Sequence, residues 1–262
     1  MISIVICSVT PAHLRAVQNN LSTLLADEPH EFISITDAKS LAEGYNRGVR
    51  QARGEYLILC HDDIEILSAD FRQILLTRLQ RYDLIGVAGA TQIKGPRWLQ
   101  AGPPHVFGQI AHYIPTENAY DVVIWSVPAR VVPGICVMDG LFLAGKRSVF
   151  ETIRFDEQTF DGFHLYDLDF TFRAARGGFN LAVCTDLAII HASIGTYDDA
   201  WERYAARFNA KHQQSYTFGA SHFWQAMGVR VRCKEHVYEI MRPREWPTLE
   251  ATPRPELAHA AG

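Results

Sequence analysis

The chain has no surplus of positive charge: 25 Lys and Arg stand against 29 Asp and Glu in 262 residues, a net charge of −4. A nucleic-acid protein built on a broad basic footprint is therefore excluded, although a local patch is not. No apolar run approaches membrane-spanning length. The apolar start, Met1 to Ser8, has no basic leader and is too short for a secretion signal, so it reads as a first strand. The five cysteines (Cys7, Cys60, Cys136, Cys184, Cys233) are odd in number and lack zinc-type spacing. They suit small core positions in a reducing compartment, and a cytoplasmic location is the expectation. No dinucleotide glycine fingerprint, nucleophile elbow, zinc-protease helix or internal repeat is visible. Gly140 to Lys146 fits the glycine and lysine positions of a phosphate loop. Arg147 replaces the hydroxyl residue, however, and the interior is bulky and strand-like, so a cradle of inward amides is not expected.

What is present is a large apolar fraction, 48%, with 11% aromatics, enough for a substantial core. Ile2 to Cys7, Phe32 to Asp37, Glu55 to Cys60 and Leu84 to Gly89 read as strands. Between them lie helical stripes: Leu14, Val17, Leu21, Leu24 and Leu25; Leu41, Tyr45, Val49 and Ala52 behind a capping Ser40; and Phe71, Ile74, Leu75 and Leu79. This alternation predicts a parallel sheet with helices on its faces. From Lys94 to about Pro133 the pattern breaks into a glycine-, proline- and aromatic-rich stretch expected to be loops. A strand-like run, Ile135 to Ala144, is interrupted by Asp139-Gly140. A helix from about Asp167 to Gly177-Gly178, short strands ending at Cys184 and His191, and a helix bearing Trp201, Tyr204, Ala205 and Phe208 follow. The residues after Met241 read as a poorly packed tail.

Three places carry chemistry. Tyr56-Leu-Ile-Leu-Cys60 runs into His61-Asp62-Asp63, which puts two acids beyond the end of a predicted buried strand, where α/β sheets bind ligands. Adjacent carboxylates repel unless a cation lies near them, and a hard divalent ion meets that need; an Asp-Asp turn closing a strand is the plain alternative. Asp167 and Asp169 open an apolar helix, where acids complement the helix dipole by about 0.3–1 kcal/mol. His191 ends another apolar run, a position that suits either a hydrogen-bonded structural histidine or a ligand. Carboxylates and imidazole together suit manganese, among other divalent ions.

Ser40-Leu-Ala-Glu-Gly-Tyr-Asn46-Arg-Gly48, then Ala52-Arg-Gly54-Glu-Tyr, then His61-Asp62-Asp63 resembles the nucleotide-sugar half of GT-A glycosyltransferases of the family 2 type. Asp139-Gly140-Leu-Phe-Leu-Ala, Phe163-His164-Leu-Tyr166-Asp167-Leu-Asp169 and Ile190-His191-Ala-Ser193-Ile-Gly195 are similar to its streptomycin-biosynthesis-type group. The resemblance runs from about residue 2 to 212. It implies an α/β GT-A fold, a Rossmann-like, mostly parallel sheet with helices on both faces and smaller acceptor-side elements. One domain is expected over 1–240: a nucleotide-sugar half (1–93), an acceptor and catalytic half (94–212) and a C-terminal helical element (213–240), with a tail at 241–262.

The resemblance also implies roles. Asp63 and His191 match metal ligands, with Asp62 as a further one, for Mn2+ or Mg2+. His61 stands where the family's motif has its first acid, so ribose contact shifts toward Asp62. Asp167 occupies the base position of a Glu-Asp-x-Asp motif in which Tyr166 replaces the glutamate, leaving the choice between Asp167 and Asp169 open. Ser8, Thr10, Asp37 and Asn46 fall at or beside nucleoside contacts. Apart from the resemblance, Lys211 or Arg207, on the helix after His191, suits the outer phosphate or is a solvated surface charge. The implied activity is inverting transfer from a UDP-sugar to a sugar or lipid-linked acceptor. A UDP-binding protein without catalysis is the alternative.

Overall fold

The computed structural model describes residues 1–195, 197–213, 215–216 and 226–242. The apolar runs at the start become β1 (Ile2–Cys7), α1 (Pro11–Leu24), β2 (His30–Ile35), α2 (Leu41–Gln51), β3 (Tyr56–Cys60), β4 (Ile64–Ile66) and α3 (Phe71–Arg81). Next come β5 (Leu84–Gly86), β6 (Ala88–Ala90), a 3-10 turn (Trp98–Ala101), β7 (Val106–Ile114), β8 (Ala119–Ser126), β9 (Val131–Pro133), β10 (Val137–Met138) and β11 (Phe142–Lys146). The described chain closes with α4 (Arg147–Ile153), α5 (Tyr166–Arg176), β12 (Leu181–Cys184), β13 (Ile189–His191), α6 (Asp199–His212), β14 (Met227–Val231) and α7 (Lys234–Met241).

The first sheet has the order β2-β1-β3-β11-β5-β12-β9. Strands β2, β1, β3, β5 and β12 run one way, and β11 and β9 run against them. Ile4, Ile6, Leu57, Ile58 and Leu59 are wholly buried, as strands covered on both faces require. Helix α2 lies close against β1 because Gly44 and Gly48 have no side chain there. A methyl at Gly44 would stand 2.5 Å from the Cys7 sulfur, and one at Gly48 would overlap Val5. The result is an α/β sheet whose strands β1 and β3 end at one rim, as the GT-A resemblance implies.

The second sheet, β10-β6-β7-β13-β4 with β8 and β14 added at β7, differs from expectation in two places. Residues 94–133 were expected as loops, yet β7 and β8 form a long antiparallel hairpin turned at Pro115 to Asn118, where Asn118 takes a left-handed φ of 46°. Its strands are partly exposed on one side, so their mixed polar and aromatic composition hides the strand period. Within the expected helical element at 213–240, Met227–Val231 form β14, paired antiparallel with β8, and α7 follows from Lys234; residues 214 and 217–225 lie outside the described residues. Met241 closes α7 fully buried and is not part of a tail; residues 243–262 of the expected tail lie outside the described residues. The run from Leu84 to Gly89 is two strands, because the chain leaves the first sheet at Val87 and enters the second. All five cysteines are free. No helix of the described residues is long and apolar enough to cross a membrane.

Candidate active site

Chain direction brings the chemistry to one rim. Strand β1 ends at Cys7 and delivers Ser8; β3 ends at Cys60 and delivers His61, Asp62 and Asp63. Strand β13 runs antiparallel to β4 with His191 opposite Ile64, and Ala192 N–H donates to the Asp63 carbonyl at 2.9 Å. That pairing sets His191 beside Asp63 across 128 residues of sequence, with His191 Nε2 3.2 Å from Asp63 Oδ1. His61 Nδ1 is 3.2 Å from the same nitrogen, and Ser193 Oγ is 3.1 Å from it. One donor atom each from His61, Asp63 and His191 lies within 4.8 Å of the others, a group able to hold a metal ion. Burial alone would raise the Asp63 carboxyl, but hydrogen bonds from His191 and Ser193 hold it well below the usual carboxylate range. Burial, then the charge of His191, pushes His61 down.

Asp62 was expected to share in this group, and its side chain is engaged elsewhere. Ser8 Oγ donates to Asp62 Oδ2 at 2.5 Å and accepts from Thr10 N–H at 3.1 Å, and His13 approaches the same oxygen at 4.0 Å. His61, expected at the nucleotide, thus joins Asp63 and His191, and Asp62 joins Ser8. A cavity of about 480 Å³ opens on Asp62 and Asp63, walled by His13, Tyr113, Tyr120 and Lys234. A slightly larger one, about 510 Å³, is lined by Gln109, Thr185 and Met241 and by none of the site residues.

The third side of the site comes from the turn between β10 and β11 and the start of α5. Gly140 N–H donates to Asp167 Oδ2 at 2.8 Å, and a methyl on Gly140 would meet the Asp167 Cβ and the Tyr166 hydroxyl at 2.6 Å each. Only glycine lets the turn come this close. Asp139 accepts from Leu141 N–H at 3.1 Å and from Trp98 Nε1 at 3.3 Å. Burial, then the neighbouring Asp139 carboxylate, pushes Asp167 up to about 7. The Tyr166 hydroxyl lies 3.0 Å from His61 Nε2, which ties this side to the histidine-aspartate group. Arg97 stacks over Tyr197 and Trp201 at 3.8 and 4.3 Å, pinning the Trp98 turn to the start of α6.

Asp169 stands otherwise. Two residues along a helix amount to about 200°, so it faces away from Asp167. It is 0% exposed and bonded to Arg173 at 2.8 Å, Lys211 at 2.6 Å and His212 at 2.8 Å. Against the pull of burial, His212 and Arg173 keep its carboxyl low. Lys211 also holds Asp156 at 2.7 Å and Arg207 holds Asp161 at 2.6 Å, so both cations expected at a phosphate are spent within the chain. Asn46 is likewise occupied: its amide nitrogen donates to the Phe155 carbonyl and Glu157, and its oxygen accepts from Phe155 N–H, all at 2.9 Å. Asp37 is exposed at the end of β2 and forked by Arg47 at 2.7 and 3.3 Å, which holds its carboxyl low. Asp139, Tyr166 and Ser193 had no role assigned from the sequence, although each lies inside a quoted motif and Tyr166 stands out there as the replacement for a glutamate.

The family model described as "Glycosyltransferase like family" matches residues 4–216. Among solved structures, the mannosyltransferase PcManGT from Pyrobaculum calidifontis, in complex with GDP-Man and Mn2+, aligns with a TM-score of 0.51 at 11% identity, over 84% of this chain and 65% of that one. The chain thus spans slightly under two thirds of that enzyme. A197 from STIV aligns with a TM-score of 0.43 at 14% identity, over 74% of this chain and 86% of that one. A search of curated proteins returned no significant match.

Proposed function

The chain belongs to the glycosyltransferase-like family, and from that premise we propose a metal-dependent, inverting transfer of a sugar from a UDP-sugar to an acceptor hydroxyl. The observation that carries this is the meeting of His61, Asp63 and His191 at one rim, bridged through Tyr166 to the residue beside it, Asp167. The donor set, two imidazoles and a carboxylate in a partly exposed position, fits a divalent cation. His61, Asp63 and His191 would hold it, and bound there it supplies Lewis-acid neutralisation of the leaving diphosphate.

The chain's own residues do the rest. Asp62, fixed by the Ser8 hydroxyl, faces the ribose, and Thr10 and Asp37 border the nucleoside. Asp167, with a pKa near that of a working base, takes the proton from the acceptor hydroxyl as its oxygen bonds to the anomeric carbon and the bond to the diphosphate breaks. Asp139 keeps Asp167 basic by its own negative charge. The Arg97-pinned Trp98 turn walls the acceptor side and limits water there. Exposed Val9, Phe163, Ile194 and Tyr197 lie in the loops bearing these residues, which suits a lipid-linked acceptor as well as a free sugar.

The test is turnover of UDP-sugars and GDP-sugars with Mn2+. Release of UDP above background, lost in Asp167→Asn while UDP still binds, supports the proposal. The streptomycin-biosynthesis-type resemblance, with Tyr166 in place of an acid, motivates a second reading, a UDP-binding protein without catalysis. UDP binding with no turnover of any sugar donor or acceptor pair would favour it.

A further inference from the structure

The hydrogen-bond geometry around His61 fixes more than its position. Asp63 Oδ1 and His61 Nδ1 each lie 3.2 Å from His191 Nε2, so the three atoms converge, and an ion held among them needs a lone pair on each. As one of those three donors, His61 Nδ1 carries no hydrogen. A neutral imidazole has one ring hydrogen, which is left for His61 Nε2, where the Tyr166 hydroxyl oxygen waits at 3.0 Å. That hydroxyl is not free to wander. Tyr166 is 3% exposed, its ring packs against Tyr45 and Phe155 at 5.8 and 6.0 Å, and its oxygen is seated over Gly140. His61 and Tyr166 are also the two positions at which the chain departs from the motifs it resembles, and they touch each other.

We propose that Tyr166 is a positioning residue that locks His61 in the Nε2–H tautomer, presenting Nδ1 as a third ligand, so that the site selects imidazole-favouring ions such as Mn2+ and Co2+ over Mg2+. The inference rests on the metal-dependent reading above. It adds which ligands bind, what orients one of them and which cation follows. An oxygen-only pair of aspartates accepts Mg2+, which prefers oxygen donors and retained water. With Asp62 bonded to Ser8 and His61 in the group, the donors are two nitrogens and one carboxylate, and affinity rises from Mn2+ toward Co2+. A histidine ligand whose other ring nitrogen loses its partner binds metal about 10–100-fold more weakly.

The experiment is Mn2+ and Mg2+ titration into the full chain by calorimetry, with pulsed EPR of the Mn2+ complex to count coupled imidazole nitrogens. The expected result is two imidazoles in the wild-type chain, one in His61→Asp, and a Mn2+ over Mg2+ preference that narrows in His61→Asp. Tyr166→Phe weakens Mn2+ by about 10–100-fold in the wild-type background and leaves it unchanged when His61 is already Asp. A purely structural tyrosine would lower affinity equally in both backgrounds, and that outcome overturns the proposal. So does a single coupled imidazole in the wild type, which needs no variant to fold and leaves metal-dependent transfer standing through Asp63 and His191. Absence of any Mn2+ binding to the wild type removes both readings together.

Discussion

Asp63 and Asp169 are both carboxylates held by a histidine, and the charges around them differ. Asp169 meets Arg173, Lys211 and His212 within 2.8 Å, so one negative group has ample compensation and no ligand is called for. Asp63 meets imidazoles and a hydroxyl, and among the described residues no lysine or arginine pairs with it. Both clusters pair an aspartate with a histidine, and both lie largely out of solvent. Unmet charge, more than burial, separates a cluster able to hold a cation from one that ties helices together. Asp167 and Asp169 repeat the contrast on a single helix, one raised by burial and then a like charge, the other lowered against burial by His212 and Arg173.

The sharpest way to break this comparison is to neutralise each acid of α5 in turn. Asp167→Asn should lower transfer by about 10²–10⁴-fold while UDP affinity stays within about twofold, measured by steady-state kinetics and calorimetry. Asp169→Ala should do the opposite. It leaves Lys211 and His212 facing a buried gap and costs about 3–5 kcal/mol in denaturant unfolding, with turnover per folded molecule retained. If Asp169→Ala silenced turnover in a fully stable protein, the two roles would have to be exchanged.

The pH dependence sharpens the same contrast, because the two shifts have opposite sign. The folded value of Asp167, about 7, exceeds its unfolded value of about 3.9. Its contribution to stability is therefore full below about pH 4 and fades as pH rises to about 7. Asp169 is held low, so its contribution is present above the ordinary aspartate range and is lost as pH falls through its folded value. Thermal melts of the unliganded protein from about pH 4 to 8 should show Asp167→Asn gaining on the wild type toward the upper end, by about 2–4 °C per kcal/mol. Transfer should rise with pH and level off above about 7, where Asp167 is deprotonated. The smallest expected effect is at the exposed Asp37–Arg47 fork: Asp37→Asn should weaken UDP by about fivefold with no measurable change in melting.

Periodicity made the first sheet legible because its strands are buried on both faces and its helices carry one apolar stripe each, as with Phe71, Ile74, Leu75 and Leu79. The second sheet was hidden for the converse reason. Strand β8 alternates burial only weakly, and β10 is two residues long, so composition there resembles a loop. In the site, Asp63, His191 and Asp167 stood at strand and helix ends and drew notice as such. That His61 and not Asp62 joins Asp63 and His191 has no local signal, since Asp62 is held by the Ser8 hydroxyl just beyond another strand. Asn46 lies in a quoted motif and Lys211 on the helix after His191, but their partners Phe155, Glu157, Asp156 and Asp169 are set by tertiary packing that spacing does not reveal.

The most direct test of the central claim is UDP calorimetry with and without Mn2+, on the wild type and on Asp63→Asn. The account predicts that Mn2+ strengthens UDP binding at least about tenfold in the wild type, a gain of about 1.4 kcal/mol, and that this gain disappears in Asp63→Asn. Equal affinity for UDP with and without the metal in the wild type would contradict it.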